Sequence, residues 1–333
     1  MAGYITTVQD WLSPDALFAL YGLSLRSAVL VHRGVNVTYR LSAGPGQFYL
    51  RLYRPQGRSR KQIEGGIAAL SSFRSVDEVY VAKPQKLQAG GYVFSCRHNE
   101  EVRFASLFAA ARGRPADNNA SDMRQLGVAL AVMHRQTAFL ACGRPFLPAE
   151  AISEAVQHLS RRGSRWRHIC GKVRHMGVTI NANLDRHVSL PRGFCHGDAW
   201  CGNVHFAGPR TTFFDFDDCF DGPLVADLVP QIAWLWHCNR SEFPDLVRVF
   251  MDAYASVLPL SVADLAVIPS LVQLHEICSI AFLARYCCLE PVVWAECLER
   301  SARTLDDWGA GGAASAYIAP LTGTARMARK QVA

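Results

Sequence analysis

One block of polar residues between apolar stretches constrains this chain more than any other feature. It reads Cys195-His196-Gly197-Asp198-Ala199-Trp200-Cys201-Gly202-Asn203, followed by Phe213-Phe214-Asp215-Phe216-Asp217. Asp198 follows a glycine, so its carboxylate can project freely from a loop. A hairpin turning at Gly208-Pro209 would bring Asn203 beside Asp215, at the end of the second apolar run. The block therefore predicts that three oxygen-bearing side chains face one point.

Those three side chains match what phosphoryl transfer requires. The reaction needs a carboxylate that orients the acceptor hydroxyl and takes its proton, and it needs oxygen ligands for Mg²⁺ at the phosphates. Asp198 suits the first task, and Asn203 and Asp215 suit the second. We therefore expect an enzyme that uses ATP and Mg²⁺ to phosphorylate a hydroxyl group.

The block also resembles the signature motif of the aminoglycoside phosphotransferase superfamily, which is H-G-D-x(4)-N followed by a hydrophobic strand that ends in D-x-D. The match continues with GPLVADL at 222–228, which is similar to the superfamily's G-P-x(3)-D-L. RGVNVTYRL (33–41) resembles its nucleotide-covering hairpin, and FYLRLYRP (48–55) its next strand. The arrangement is similar to the branch with type II homoserine kinases, choline kinase-like enzymes and bacterial stress-response kinases, over residues 20–300 or so.

The resemblance implies a protein kinase-like fold of the α+β class with two lobes. We expect an antiparallel-sheet N-terminal lobe, a mostly helical C-terminal lobe and a loose tail, over residues 1–108, 109–320 and 321–333. Hydrophobic periodicity agrees with this layout, since strands are predicted at 35–41, 48–54, 79–87, 91–96 and 102–108 and a helix at 58–73. Ser13 and Ser121 are expected to cap two further helices.

For the polar block, the resemblance implies individual roles. Asp198 would be the catalytic base, and Asn203 and Asp215 would hold Mg²⁺. Asp217 would be a further acid at the metal, and His196 would support the loop from within. Asp227, in the GPLVADL stretch, would accept hydrogen bonds from the backbone of the catalytic loop.

In the N-terminal lobe, the resemblance implies a nucleotide site. Arg51 would hold the α- and β-phosphates, with Glu64 paired to it from the following helix. Gly34 and Asn36 lie in the turn expected over the phosphates, and Leu107 begins the stretch expected to receive adenine. Arginine stands where the superfamily has lysine, and its planar, permanently charged fork binds phosphate with a different geometry. A non-catalytic nucleotide-binding module therefore stays open as an alternative.

The acceptor is expected to be a small molecule such as an amino alcohol, a metabolite or an antibiotic. The segment between Asp215 and GPLVADL is shorter than the activation segment on which protein kinases dock peptides. Trp200 beside the base, and Glu276 and Arg285 on an apolar helix at 271–289, are candidate acceptor contacts. A stress-response type of protein Ser/Thr kinase, which also lacks the long segment, is the alternative.

Composition limits location and partners. The net charge is +7, and residues 1–194 carry +14 while residues 195–333 carry −7, which suits a polyanionic nucleotide in the first part. The 11 cysteines and the start of the chain indicate reduced thiols in a cytoplasm, and we expect no membrane partner. The basic segment 161–175 most simply forms a solvated face, so nucleic acid is not an expected partner, and a monomer or homodimer is expected.

A Cys/His cluster in the block also permits a zinc interpretation. Its members are Cys195, His196, Cys201, His205 and Cys219. Thiolate and imidazole are the usual zinc ligands, but this spacing is not a standard pairing. We therefore expect ordinary buried cysteines and no zinc site.

Overall fold

The computed structural model describes residues 11–55, 57–163, 166–314 and 317. The first part of the chain is rich in strands. Its elements are α1 Pro14–Tyr21, β1 Leu25–Arg33, β2 Val37–Ala43, β3 Gly46–Leu52, α2 Arg60–Ser72, β4 Val79–Val81, β5 Phe94–His98 and β6 Glu101–Ala109. Ser13 caps α1 as expected, because its side chain accepts a hydrogen bond from Ala16 N.

Five of these strands form one antiparallel sheet in the order β1-β2-β3-β6-β5. Alternation along β2 places Val37, Tyr39 and Leu41 in the core, and Leu50 and Leu52 of β3 join them. The opposite face of β3 carries Arg51, which pairs in register with Thr38 of β2. The hairpin predicted from the alternating residues is thus present, and it directs Arg51 away from the core.

The helix α2 contains two glycines that allow close packing. A Cβ atom on Gly65 would lie 2.3 Å from the carbonyl oxygen of Cys142, and one on Gly66 would lie 3.0 Å from Cys219 Sγ. The helix is continuous through both positions. The glycines therefore leave the helix intact and let α2 approach segments of the second part of the chain.

Most of the second part is helical. Its elements are β7 Arg114–Pro115, α3 Ala120–Thr137, α4 Pro148–Ser160, α5 Arg167–Asp185, β8 Arg192–Cys195, β9 Val204–Ala207, β10 Arg210–Phe213, β11 Phe220–Pro223, α6 Val229–Cys238, α7 Phe243–Ala255, α8 Val262–Tyr286 and α9 Pro291–Asp307. This division into an antiparallel-sheet part and a helical part confirms the predicted fold class. The predicted lobe boundary at 108/109 falls one residue before β6 ends, and the tail at 321–333 lies outside the described residues.

Two short hairpin strands carry the polar block. β9 and β10 pair in antiparallel fashion around Gly208, as predicted, and β10 pairs in parallel with β4. This mixed sheet joins the strand-rich part to the helical part. The pairing of Phe213 with Val204 places the residues that follow β10 next to the residues that precede β9.

Two details of the sequence-based prediction are wrong or incomplete. The cap of α3 is Asn119, whose side chain accepts from Asp122 N, so Ser121 lies inside the helix. The edge strand β1 was not predicted, because Val29 and Val31 are about half exposed and follow no buried alternation.

Helix α8 is the one described helix that is long and apolar enough to cross a membrane. In the fold, 67% of its most apolar stretch is buried. It packs against α4, α5, α6 and α9, which is the environment of a core helix.

Candidate active site

The loop after β8 is held by one buried carboxylate. Asp227 accepts hydrogen bonds from His196 N at 2.6 Å and Gly197 N at 2.7 Å, and also from His134 Nε2 at 3.0 Å. Burial would raise the pKa of Asp227, but the hydrogen bond and charge of His134 outweigh it and lower that pKa. The backbone contacts expected for Asp227 are therefore present.

His196 connects this loop to the strand that carries the acids. Its Nε2 donates to Phe214 O at 2.9 Å, and its Nδ1 accepts from Asp198 N at 3.3 Å. Burial lowers the pKa of His196, so the ring is neutral and one nitrogen can donate while the other accepts. This geometry agrees with a supporting role for the histidine.

Asp198 projects from the loop into a cavity. Asn203 Nδ2 donates to Asp198 Oδ2 at 2.7 Å and to the Asp198 carbonyl oxygen at 3.0 Å. Burial, with the nearby charges of Asp218 and Asp215, raises the pKa of Asp198 to about 7. A carboxylate with this pKa can take and release a proton near neutral pH.

Asp215 adopts a backbone conformation that is unusual for a residue other than glycine. Its φ of +64° turns the chain directly after β10 and costs about 1 kcal/mol or more. Burial and the neighbouring Asp217 raise the pKa of Asp215 to about 6, although Arg51 opposes them. Such strain is kept where the surroundings fix the turn, which here directs the carboxylate towards the N-terminal sheet.

Arg51 bonds to both acids that follow β10. Its Nη2 donates to Asp215 Oδ1 at 2.8 Å and to Asp217 Oδ2 at 2.6 Å, and its Nη1 donates to Thr38 Oγ1 at 3.0 Å. Asn36 Nδ2 donates to the same Asp217 oxygen at 2.7 Å. The structure therefore brings the predicted nucleotide residues Arg51 and Asn36 into direct contact with the predicted metal ligands.

These groups line a cavity of about 600 Å³ between the two parts of the chain. Asp198, Trp200, Asn203, Asp215 and Asp217 lie on one side of it, and Asn36 and Arg51 on the other. Gly34 is exposed in the turn next to the lining residue Val35.

Leu107 does not line the cavity. Its side chain is fully buried in the N-terminal core because it points to the opposite face of β6 from Phe108. Phe108, Ala109 and Ala111 line the cavity instead, so the residues at the end of β6 replace Leu107 as candidate adenine contacts.

The expected pair between Glu64 and Arg51 is wrong. Glu64 accepts a hydrogen bond from Arg60 Nε at 2.8 Å on the exposed face of α2. The helix face towards the C-terminal part carries Gly65 and Gly66, so no acid of α2 reaches Arg51 there. Asp215 and Asp217 provide its counter-charge.

Two of the expected acceptor contacts also lie elsewhere. Glu276 is buried between helices, where His237 Nε2 bonds its carboxylate at 3.0 Å and Ser301 Oγ donates to it. The Arg285 guanidinium stacks on Tyr286, with 4.9 Å to the ring centroid. Neither lines the cavity, because helical spacing directs another residue of α8, Phe282, towards it. Trp200 does line the cavity, and its ring packs against Trp234 with centroids 4.4 Å apart.

A magnesium ion fits this donor set. Asn203 uses its amide nitrogen on Asp198, so its amide oxygen is the atom that it can present to a cation. Asp215 and Asp217 add carboxylate oxygens, and oxygen ligands of this type are those that Mg²⁺ prefers. Arg51 neutralises both carboxylates in the structure, so an entering cation must replace or share that interaction.

The zinc interpretation has no support among the described residues. The one group there with ligand atoms within 4.8 Å of each other is His134, Cys195 and Asp227. Both oxygens of Asp227 already accept backbone hydrogen bonds, and the Cys195 thiol has a pKa raised by burial. A neutral thiol and an occupied carboxylate make this group part of the structural support for the loop.

Sequence reasoning missed two arginines and one buried histidine near the site, and it gave Asp218 no role there. Arg54 and Arg58 precede α2, Asp218 follows the D-x-D pair, and His134 lies in α3. Arg58 Nη2 bonds Asp218 Oδ1. The basic run that precedes α2 was the available signal for the arginines, but nothing local distinguishes His134 from other helix residues.

The fold and the site define a kinase-like phosphotransferase. The sequence profile of the phosphotransferase enzyme family (APH) matches residues 29–265, and the chain belongs to this family. A homoserine kinase from Methylocella silvestris is 26% identical over 248 residues, which cover 72% of this chain and 73% of that protein.

Solved structures show the same fold. The structure of a microcompartment-associated aminopropanol kinase superposes with a TM-score of 0.73 at 20% identity, covering 89% of this chain and 95% of that one. An amicoumacin kinase solved with AMP-PNP and Ca²⁺ gives a TM-score of 0.66 at 17% identity, with 86% and 91% coverage. These likenesses confirm the predicted fold.

Proposed function

We propose that this protein transfers the γ-phosphoryl group of ATP to a hydroxyl group of a small molecule. The observation that carries the proposal is the position of Asp198. Its carboxylate lies in the cavity, fixed by Asn203 and with a pKa near 7, beside two acids that suit a divalent cation. A module that only binds nucleotide needs no such base.

The relatives support a small acceptor. They include kinases named for homoserine and for aminopropanol, and an amicoumacin kinase was solved with a nucleotide analogue. The segment after Asp215 is short, because it runs through Cys219 directly into strand β11, which contains Gly222 and Pro223. It offers no extended surface for a peptide, which favours a small molecule over a protein.

In the proposed mechanism, each residue has a separate task. Asp198 would orient the acceptor hydroxyl and take its proton, and the Asn203 amide would hold that carboxylate in place. His196 would keep the base loop next to Phe214 and so next to Asp215. When bound, Mg²⁺ would neutralise charge on the phosphates, with Asn203, Asp215 and Asp217 as its protein ligands.

The test is an ADP-release assay with ATP and Mg²⁺ against amino alcohols, hydroxy amino acids, aminoglycosides and a generic protein acceptor. We expect release stimulated by a small compound. Asp198→Asn should lower its rate by roughly 10²- to 10⁴-fold and leave nucleotide affinity nearly intact. Asp215→Ala should instead remove Mg²⁺-dependent nucleotide binding.

Each outcome has a clear meaning. Normal turnover by Asp198→Asn would show that this residue is not the base. Clear nucleotide binding by the unmodified protein without stimulation by any acceptor would favour the non-catalytic alternative, and stimulation by the protein acceptor alone would favour a protein kinase.

A further inference from the structure

A second arginine at the cavity is fixed in place but forms no ion pair with an acid in the described part of the chain. Arg54 follows β3, three residues after Arg51, and its backbone N donates to Asn36 Oδ1 at 2.8 Å. Because Asn36 also bonds Asp217, the backbone of Arg54 is tied to the centre of the site. The Arg54 side chain lines the same cavity as Asp198.

Two aromatic rings of the C-terminal part hold the Arg54 side chain. Its guanidinium carbon lies 4.8 Å from the ring centroid of Tyr286 and 5.7 Å from that of Phe282, near the end of α8. The two rings also pack against each other, with their centroids 5.1 Å apart. A guanidinium stacked on aromatic faces keeps its N–H edge directed outward, where it can bind a planar anion through two parallel hydrogen bonds.

The charges around Arg54 leave it available for an anion. Asp218, which feels the charge of Arg54, is already paired with Arg58. Arg51 is matched by Asp215 and Asp217. Arg54 Nε is buried and has no hydrogen-bond partner among the described residues. A buried donor of this kind is costly unless a ligand satisfies it.

We propose that Arg54 binds a carboxylate of the phosphate acceptor, so that the acceptor is a hydroxy amino acid rather than a simple amino alcohol. This inference rests on the proposed function. The rings that orient Arg54 belong to α8, on the C-terminal side of the cavity, whereas Arg51 and the end of β6 line the nucleotide side. The acceptor hydroxyl would meet Asp198 while its carboxylate meets Arg54.

The test uses matched acceptors that differ only in the carboxylate. The pairs are serine and ethanolamine, threonine and 1-aminopropan-2-ol, and homoserine and 3-aminopropan-1-ol. Steady-state kcat/KM is measured for all six at saturating ATP and Mg²⁺. We expect at least one amino acid to exceed its decarboxylated counterpart by about 10- to 100-fold, the range for a charge-assisted interaction.

Substitutions of Arg54 locate the source of that preference. Arg54→Met keeps an unbranched apolar chain over the rings and should abolish the preference, leaving kcat/KM for the amino alcohols and the KM for ATP nearly unchanged. Arg54→Lys keeps the charge without the planar fork and should give an intermediate preference. Arg60→Met is the control, because Arg60 pairs with exposed Glu64 and does not line the cavity.

Three results would overturn the inference. One is a preference for the amino alcohols that Arg54→Met leaves unchanged, which would leave the proposed kinase activity intact. Another is a rise in the KM for ATP of the Arg54→Met variant with every acceptor, which would show that Arg54 binds the γ-phosphate. The third is calorimetry with AMP-PNP present in which serine, threonine and homoserine all fail to bind, and this readout does not depend on turnover.

Discussion

Replacing Arg51 by methionine should destabilise the protein by an amount that depends on pH. The change leaves Asp215 and Asp217 together without a cation, and the Asp217 side chain is only 14% exposed. Breaking a buried ion pair by removing one partner costs about 3–5 kcal/mol. One carboxylate can avoid part of this cost by binding a proton.

The free-energy cost of that protonation sets the size of the destabilisation in Arg51→Met. With an unfolded-state pKa near 3.9 and about 1.36 kcal/mol per pH unit, neutralising one aspartate costs roughly 4 kcal/mol at pH 7 and roughly 1.5 kcal/mol at pH 5. Without Arg51 the folded-state pKa of the pair rises above the value of about 6 that Asp215 has in the unmodified protein, so the stabilising effect of the bound proton is present at low pH and lost as the pH rises. Because Asp215 of the unmodified protein already binds a proton below a pKa of about 6, the deficit should grow mainly as the pH rises above about 6.

Urea unfolding, followed by the fluorescence of the seven tryptophans, measures the deficit at each pH. Millimolar Mg²⁺ without nucleotide should recover more stability in Arg51→Met than in the unmodified protein, because the two carboxylates are then free to bind it. Arg51→Lys should retain most of the stability, and Arg60→Met is the control. A deficit below about 1 kcal/mol that neither pH nor Mg²⁺ alters would refute the reasoning.

Two further predictions follow from the site and from α2. Because burial raises the pKa of Asp198 to about 7, kcat/KM for the acceptor should fall as the pH is lowered through 7, and a profile flat from pH 5 to 8 would count against Asp198 as the base. Gly65→Ala should destabilise the protein by about 1–3 kcal/mol, measured by urea unfolding, because the added Cβ would meet the Cys142 carbonyl oxygen. Gly171→Ala is the control, since there is open space around Gly171, and it should be neutral or stabilising.

The parts of the fold that follow short-range patterns could be predicted from the sequence. Alternating residues in β2 and β3 and the turn at Gly208 determined both hairpins, and the spacing from His196 to Asp215 located the centre of the site. These signals are local, because they come from turn chemistry, strand pleating and the few residues between paired strands.

Contacts between distant segments could not be predicted in this way. Glu64 and Glu276 looked suitable by residue type, but helix rotation directs Glu64 to Arg60 and Glu276 to His237. A change of about 100° per residue along a helix decides whether an acid faces a cavity or a neighbouring helix. The predicted adenine contact of Leu107 was wrong for the same kind of reason, because successive residues of a strand alternate between the core face and the cavity face.

The arginine at position 51 and the two glycines of α2 have one physical explanation. In α2, Gly65 and Gly66 provide the close approach to Cys142 and Cys219, so that face of the helix offers no acid to a cation on β3. The cation on β3 must then find its counter-charge on the other side of the cavity. The planar fork of Arg51 bridges Asp215 and Asp217 while it also bonds Thr38, which the compact ammonium of a lysine is poorly shaped to do. Arginine at this position and glycine in α2 are therefore compatible with an intact catalytic centre, and the stability of Arg51→Lys against Arg51→Met tests whether charge or shape matters more.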